Sequence, residues 1–167
     1  LYNRRGFEQF SEEEFIEAKK RNIKTMTLSI DMDNLKYIND VYGHSHGDLA
    51  LQTIADAMRH ACSGHEICAR IGGDEFAVLL CAEGKSPEKL CEITRESCIR
   101  LFSSMKYLST TIAQKTGTKD VTVSASVGIA VFGCDGTTFQ ELYQCADKAL
   151  YVSKRSGKNR FTFYESV

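Results

Sequence analysis

Apolar residues recur along this chain with two periods, and the alternation between them predicts the order of elements. Over 3–21 the spacing is helical. Phe7 and Phe10 share a face, Phe15 and Ile16 continue it slightly out of phase, and Ser11-x-x-Glu14 matches a capping box, which predicts a break or restart near Ser11. A polar turn at 22–24 leads into a two-residue period over 25–31, with Met26, Leu28 and Ile30 on one face of a strand. A short helix is expected over 35–40, then a loop at 43–47 with His44 and His46 as hydrogen-bonded scaffold. The next helix runs from 47–48 to about 62, with Asp48 placed to act as its N-cap and Leu51, Ile54, Met58 and Cys62 as its apolar stripe. Two strand-like runs, 66–71 and 76–80, flank Gly72-Gly73, which reads as a hairpin. The glycines offer the positive φ such a turn takes, and they let a ligand come close to the backbone. Ser86-Pro87 opens a helix in which Leu90, Ile93, Ser97 and Leu101 lead toward Met105, and 109–120 reads as a variable loop. The run 121–132 is the strongest strand, where Gly128 suggests a bulge or close packing. A helix over 137–154 turns Phe139, Leu142, Ala146, Ala149 and Leu150 inward from a Thr137 or Thr138 cap, and a strand over 159–164 ends the chain. Strands here neither alternate strictly with helices nor cluster, so the pattern predicts an α+β fold: a mostly antiparallel central sheet flanked by helices.

Composition narrows this picture. The 167 residues are the length of one domain, and 43% hydrophobic with 26% charged content is that of a folded chain rather than a disordered one. A net charge of −1 gives no general attraction to nucleic acid or to a membrane surface, so neither is expected as a partner, and any anion must be held by a local site. No apolar run nears the roughly 20 residues that span a bilayer. Seven cysteines, an odd number with no C-x-x-C, read as small hydrophobes of a reduced cytoplasmic protein. Their spacing to His44, His46, His60 and His65 does not suit structural zinc. The chain opens at Leu1 without an initiator Met or signal peptide, and is expected to be part of a longer polypeptide.

The candidate chemistry is acidic. Asp74 and Glu75 are adjacent at the hairpin turn, and Asp31 and Asp33 sit where the first strand ends. Neighbouring carboxylates repel unless a proton or cation lies between them. Asp33 can be either an N-cap of the following helix or part of a site, whereas Asp31 comes too early for a cap. If the first strand and the hairpin are sheet neighbours, the four acids converge into the hard oxygen set that suits Mg²⁺ or Mn²⁺ together with substrate phosphates. The first amides of the 35–40 helix would face the acidic turn, and Lys36, Lys154 and Lys158 would neutralise a triphosphate. Taken together these residues describe a metal-assisted nucleotidyl transferase.

At these same residues the chain resembles the GGDEF family of bacterial diguanylate cyclases. Residues 1–7, Leu-Tyr-Asn-Arg-Arg-Gly-Phe, resemble the tail of the family's opening motif, so the domain is expected to start inside it. Ile30-Asp31-Met32-Asp33, Lys36-x-x-Asn39-Asp40 and Gly43-His44-x-x-Gly47-Asp48 resemble its second block, and Gly72 to Phe76 is the signature itself. Ala146-Asp147-x-Ala149-Leu150-Tyr151-x-x-Lys154 with Gly157-Lys158-Asn159-Arg160 resembles its last block. The resemblance implies a palm-like fold related to nucleotidyl cyclases and polymerases, and condensation of two GTP into cyclic di-GMP and two pyrophosphates. It implies two Mg²⁺ or Mn²⁺ per site held by Asp31, the Met32 carbonyl, Asp74 and Glu75, with Asp74 the indispensable acid and Glu75 beside it in catalysis. Asn39 and Asp48 would bond guanine, Leu51 would flank the base, Gly72 and Gly73 would border the nucleotide, and Lys36, Lys154 and Lys158 would meet the phosphates. A buried Asp48 carboxylate that accepts from guanine leaves adenine poorly matched, and relatives that accept ATP tend to carry Ser there. Since each domain holds one GTP, a homodimer with facing sites is implied, governed by an upstream sensory or dimerisation segment that in some parents is membrane-anchored.

The chain departs from the family pattern in three places. Leu35 replaces the usual Phe. Lys158 replaces a common Arg, exchanging a planar fork for a point charge. The inhibitory product site, R-x-x-D, should occupy 63–66, yet Ser63-Gly64-His65-Glu66 lacks the Arg, so strong product inhibition there is not expected. The competing readings are a non-catalytic GTP- or cyclic di-GMP-binding module and a purely structural dimerisation module.

Overall fold

The computed structural model describes residues 1–62, 66–117 and 122–164. Its elements are α1 (Arg4–Lys20), β1 (Lys24–Met32), α2 (Leu35–Tyr42), α3 (His44–Ala61), β2 (Ile67–Arg70), β3 (Glu75–Ala82), α4 (Pro87–Thr116), β4 (Ala125–Val131), α5 (Phe139–Arg155) and β5 (Arg160–Phe163). The strands form one sheet in the order β2-β3-β1-β4-β5. All pairs are antiparallel except β4 with β5. The architecture is therefore the expected α+β fold.

β1 lies at the centre because it can be covered on both faces. Met26, Leu28, Ile30 and Met32 enter the larger core with Ile54 and Met58 of α3 and Leu90 and Leu101 of α4. Each such side chain contributes roughly 1.5–3 kcal/mol on leaving water. The other face carries Thr25, Thr27, Ser29 and Asp31, which are also buried. Here α1 and α5 cover the sheet, with Phe7 packed among Ala77 and Leu79, and Phe15 among Ala130, Leu142 and Ala146. Gly128 allows close packing rather than forming a bulge: a Cβ there would strike the Ala146 carbonyl and the Leu150 amide of α5.

Several local expectations are corrected. α1 is unbroken; Asn3 caps it by accepting from the Gly6 amide, and Ser11 is buried within it. Its inward face is Phe7, Ser11, Phe15 and Ala18, while Phe10 and Ile16 are exposed. Phe10 instead meets Tyr2, ring centroids 5.0 Å apart. α3 starts at His44, so 43–47 is no loop and Asp48 is no N-cap; Gly43, at φ +86°, is the joint between α2 and α3. α4 runs on through 109–116 and ends at Gly117 in the left-handed region, and its inward stripe is Leu90, Thr94, Cys98, Leu101 and Met105 rather than one through Ile93 and Ser97. β4 begins at Ala125, later than the predicted 121. α5 has Thr138 as its N-cap in a capping box with Glu141. The 63–65 part of the expected product-site position lies outside the described residues, as do 118–121 of the predicted loop and strand.

Candidate active site

Antiparallel pairing of β1 with β3 sets Asp31 opposite Glu75, and the Met32 amide donates to the Asp74 carbonyl at 2.9 Å. This register brings the acidic strand end to the Gly-Gly turn. The turn closes when the Ile71 and Gly72 amides donate to the Glu75 carbonyl at 2.8 and 3.3 Å. Arg70 pins it from outside, its guanidinium donating to the Gly72 and Gly73 carbonyls at 3.2 and 2.7 Å. Neither Gly72 nor Gly73 adopts positive φ, contrary to the sequence expectation. Glu75 folds back over Gly72: a Cβ there would lie 2.7 Å from Glu75 Oε2, so a side chain at 72 would turn the flexible Glu75 carboxylate away. Gly73 faces open space, leaving its backbone accessible.

Beside the turn is a cavity of about 330 Å³ bordered by Asp31, Met32, Lys36, Asp74, Lys154 and Lys158, together with Asp33, Asn34, Leu35 and Tyr37. Asp31 is buried at its inner side, and Lys154 Nζ lies 2.8 Å from its Oδ2. Burial pushes the Asp31 carboxyl above the usual aspartate range; Lys154 opposes that shift, and the charges of Asp74 and Glu75 add to it. Lys158 Nζ donates to Asn34 Oδ1 at 2.6 Å on the cavity rim. Asn34 is the N-cap of α2, in the left-handed region, with no side-chain capping bond. The first α2 amide to bond backward is that of Ile38, so those of Leu35, Lys36 and Tyr37 sit at the open helix end beside the cavity.

Asp33 is neither cap nor cavity acid in its bonding. It is 2% exposed and accepts from the Ser126 and Ser124 hydroxyls at 2.8 and 3.0 Å and from the Asn159 amide at 3.0 Å. These bonds join the end of β1 to the start of β4 and to the turn after α5, where Gly157, Lys158 and Asn159 all have positive φ. That turn delivers Lys158 to the rim. Neither Asp33's three donors nor the Lys158–Asn34 contact leaves a periodic signal in the sequence, since the partners lie 91 to 126 residues away. The same holds for Arg4, which reaches Glu75 Oε2 at 3.6 Å and the Ile71 carbonyl at 3.3 Å.

The remaining predicted residues lie outside the cavity lining. Asn39 of α2 comes against the start of α3, where a Cβ on Gly47 would run into its side-chain amide, and Asp48 and Leu51 follow along α3. Asp48 is exposed rather than buried, and Leu51 is part of the core. The acids do not converge into a finished cluster either. Glu75 turns to Arg4, Lys154 occupies Asp31, and among the described residues no three acidic, imidazole or thiol groups are gathered for a metal. The oxygen set still fits a hard dication, because Asp31 is a desolvated carboxylate facing two more acids and balanced for now by one ammonium.

A family model described as "Diguanylate cyclase, GGDEF domain" matches residues 1–160. The chain belongs to the GGDEF domain family. It is 33% identical over 166 residues to the bifunctional diguanylate cyclase/cyclic di-GMP phosphodiesterase MucR of Pseudomonas aeruginosa, covering 99% of this chain and 23% of that protein. It is 31% identical over 166 residues to diguanylate cyclase DosC of Escherichia coli, covering 99% of this chain and 34% of that protein. The GGDEF chain thus spans 23% and 34% of the length of these two relatives. Among solved structures it resembles the GGDEF domain of YfiN (TpbB) from P. aeruginosa, with a TM-score of 0.84 and 32% identity over 100% of this chain and 98% of that one. Among the described residues no helix is long and apolar enough to cross a membrane.

Proposed function

We propose that this GGDEF domain is a diguanylate cyclase that condenses two GTP into cyclic di-GMP with release of two pyrophosphates. The observation that carries this reading is the pairing of Asp31 with the Gly72–Glu75 turn at a cavity rimmed by Lys36, Lys154 and Lys158. Asp31, the Met32 carbonyl, Asp74 and Glu75 would hold two Mg²⁺ or Mn²⁺. Such ions, when bound, supply Lewis acidity at the α-phosphorus and lower the pKa of the attacking 3′-hydroxyl.

The chain's own residues do the rest. Lys36, Lys158 and the open α2 amides bind triphosphate oxygens, and Lys154 moves from Asp31 to the phosphates as the nucleotide enters. Asn39 and Asp48 bond the guanine edge, and Leu51 flanks the ring. Asp48 becomes buried only when the base covers it, so the preference for guanine over adenine is realised on binding. Gly73, with nothing beside it, lets the nucleotide lie against the turn. Each domain presents one GTP, so two protomers must face each other, and in a parent as long as MucR or DosC the remaining length would set how often they do.

The test is GTP turnover by an artificially dimerised domain with Mg²⁺, products identified by mass, for wild type against Asp74→Ala. The expected loss is at least about 100-fold, the scale of removing a group that stabilises transition-state charge. Equal product from both proteins ends the cyclase reading in favour of a binding module.

A further inference from the structure

Cys62 and Cys68 meet where α3 hands over to β2. Cys62 is the C-cap of α3, in extended backbone, and Cys68 is the second residue of β2. Their Sγ atoms are 3.4 Å apart, within reach of a thiol–thiol hydrogen bond. Both are half-buried, so small reagents reach them, whereas Cys98 and Cys145 are buried.

We propose that Cys62 and Cys68 form a reversible dithiol–disulfide modification site, whose reaction partner is a low-molecular-weight disulfide of the glutathione class. A disulfide needs its sulfurs about 2.05 Å apart, so the pair has to close by about 1.4 Å. The surroundings permit that movement. β2 is a four-residue strand at the sheet edge, paired with β3 on one side and bridged on the other by Tyr2, whose amide donates to the Cys68 carbonyl at 2.9 Å, so the closure falls to the two side chains rather than to the strand. A cavity of about 30 Å³ touches Cys62 and is bordered by Met58, Cys98 and Leu101, giving its sulfur room to shift.

The reaction has a direction. The hydrogen bond with Cys62 lowers the Cys68 thiol below the ordinary cysteine range, and the same bond raises Cys62. Burial pushes Cys81 and Cys98 up to about 12, which keeps them protonated and slow. The Cys68 thiolate attacks one sulfur of glutathione disulfide; the S–S bond breaks and one glutathione thiolate leaves, taking a proton from water. Cys62 then releases its proton to water and attacks Cys68 Sγ, and the second glutathione leaves with the electron pair of the mixed disulfide. Two protein thiols lose two electrons, and one glutathione disulfide becomes two glutathiones. The new bond ties the end of α3, the helix bearing Asp48 and Leu51, to the strand that precedes the Gly72–Glu75 turn.

The experiment reads mass, so its outcome is independent of the cyclase reading. The whole chain is equilibrated in glutathione buffers of rising disulfide fraction, quenched in acid, alkylated, digested and mapped. A linked Cys62–Cys68 peptide is expected to accumulate first and to disappear on reduction, while the other five cysteines remain alkylated. Cys62→Ser is expected to trap glutathione on Cys68, as a mixed disulfide that no second thiol resolves. Modification of exposed Cys134 before any Cys62–Cys68 link forms would overturn the proposal, as would a Cys62→Ser protein with no adduct at Cys68. Should a variant fail to fold, the wild-type map decides alone.

Discussion

Asp31 and Asp33 are two residues apart, the same in type and both buried, yet their surroundings give them opposite work. Asp33 is fully engaged by two serine hydroxyls and one amide, so its charge is spent on holding three segments together. Asp31 is paired, among the described residues, with Lys154, and has two acidic neighbours that favour a further cation. Asp33→Ala is therefore expected to lower unfolding free energy by about 2–3 kcal/mol in urea titrations, the cost of stranding buried donors. Cys98 makes a second prediction at this scale. Its thiol is raised from the ordinary 9.0 to about 12 by burial, so the native state keeps a proton that the unfolded chain gives up. Its contribution is whole below pH 9 and is lost as pH climbs toward 12. Stability should fall with a slope of about 1.4 kcal/mol per pH unit for that one thiol above pH 9. Cys98→Ala should flatten that part of a pH series of denaturation curves. The sequence left Asp33 open between cap and site because a carboxylate before a helix looks the same in either role. Only its donors, far away in the chain, separate the two.

Elements were most legible where their signals are local. Ser86-Pro87 marks the start of α4 and the Thr137–Thr138 pair that of α5, with Thr138 the cap the structure selects, because capping is settled within four residues. Gly117 was equally visible, but as a C-terminal stop in the left-handed region it ends a long helix rather than belonging to a loop. The apolar stripe of α4 was misphased since Thr94 and Cys98 count as weak hydrophobes until the core encloses them; the Thr94 hydroxyl even points to Met26 Sδ at 2.9 Å. β4 and α5 meet through Gly128, and this contact can be tested. Gly128→Ala places a methyl against α5 backbone that cannot swing aside, and is expected to cost about 3 kcal/mol or to leave the protein insoluble, read by thermal unfolding. Gly73→Ala, facing open space, should unfold near the wild-type temperature, and so serves as a control for the fold.

At the scale of the whole molecule, the sheet order β2-β3-β1-β4-β5 decides the site by making β1 and β3 neighbours. One site per domain also makes the proposed reaction a property of two molecules. Specific activity of the undimerised chain is expected to rise with protein concentration, about twofold per doubling while dimers are scarce, as rates at fixed GTP would show. With Ser63 where the family's inhibitory motif carries Arg, added cyclic di-GMP at low micromolar concentration is expected to leave the initial rate of a forced dimer unchanged. The sequence by itself determined the elements, the α+β class and the acidic and basic residue types of the site, because periodicity, caps and motif spacing act over a few residues. Packing alone decided that Asp31 faces Glu75, that Lys154 rests on Asp31, and that Arg4 draws Glu75 aside. The ion pairs and the Lys158–Asn34 contact join residues 71 to 124 positions apart in the chain, and their geometry depends on the free energy of the assembled sheet and helices rather than on any local pattern.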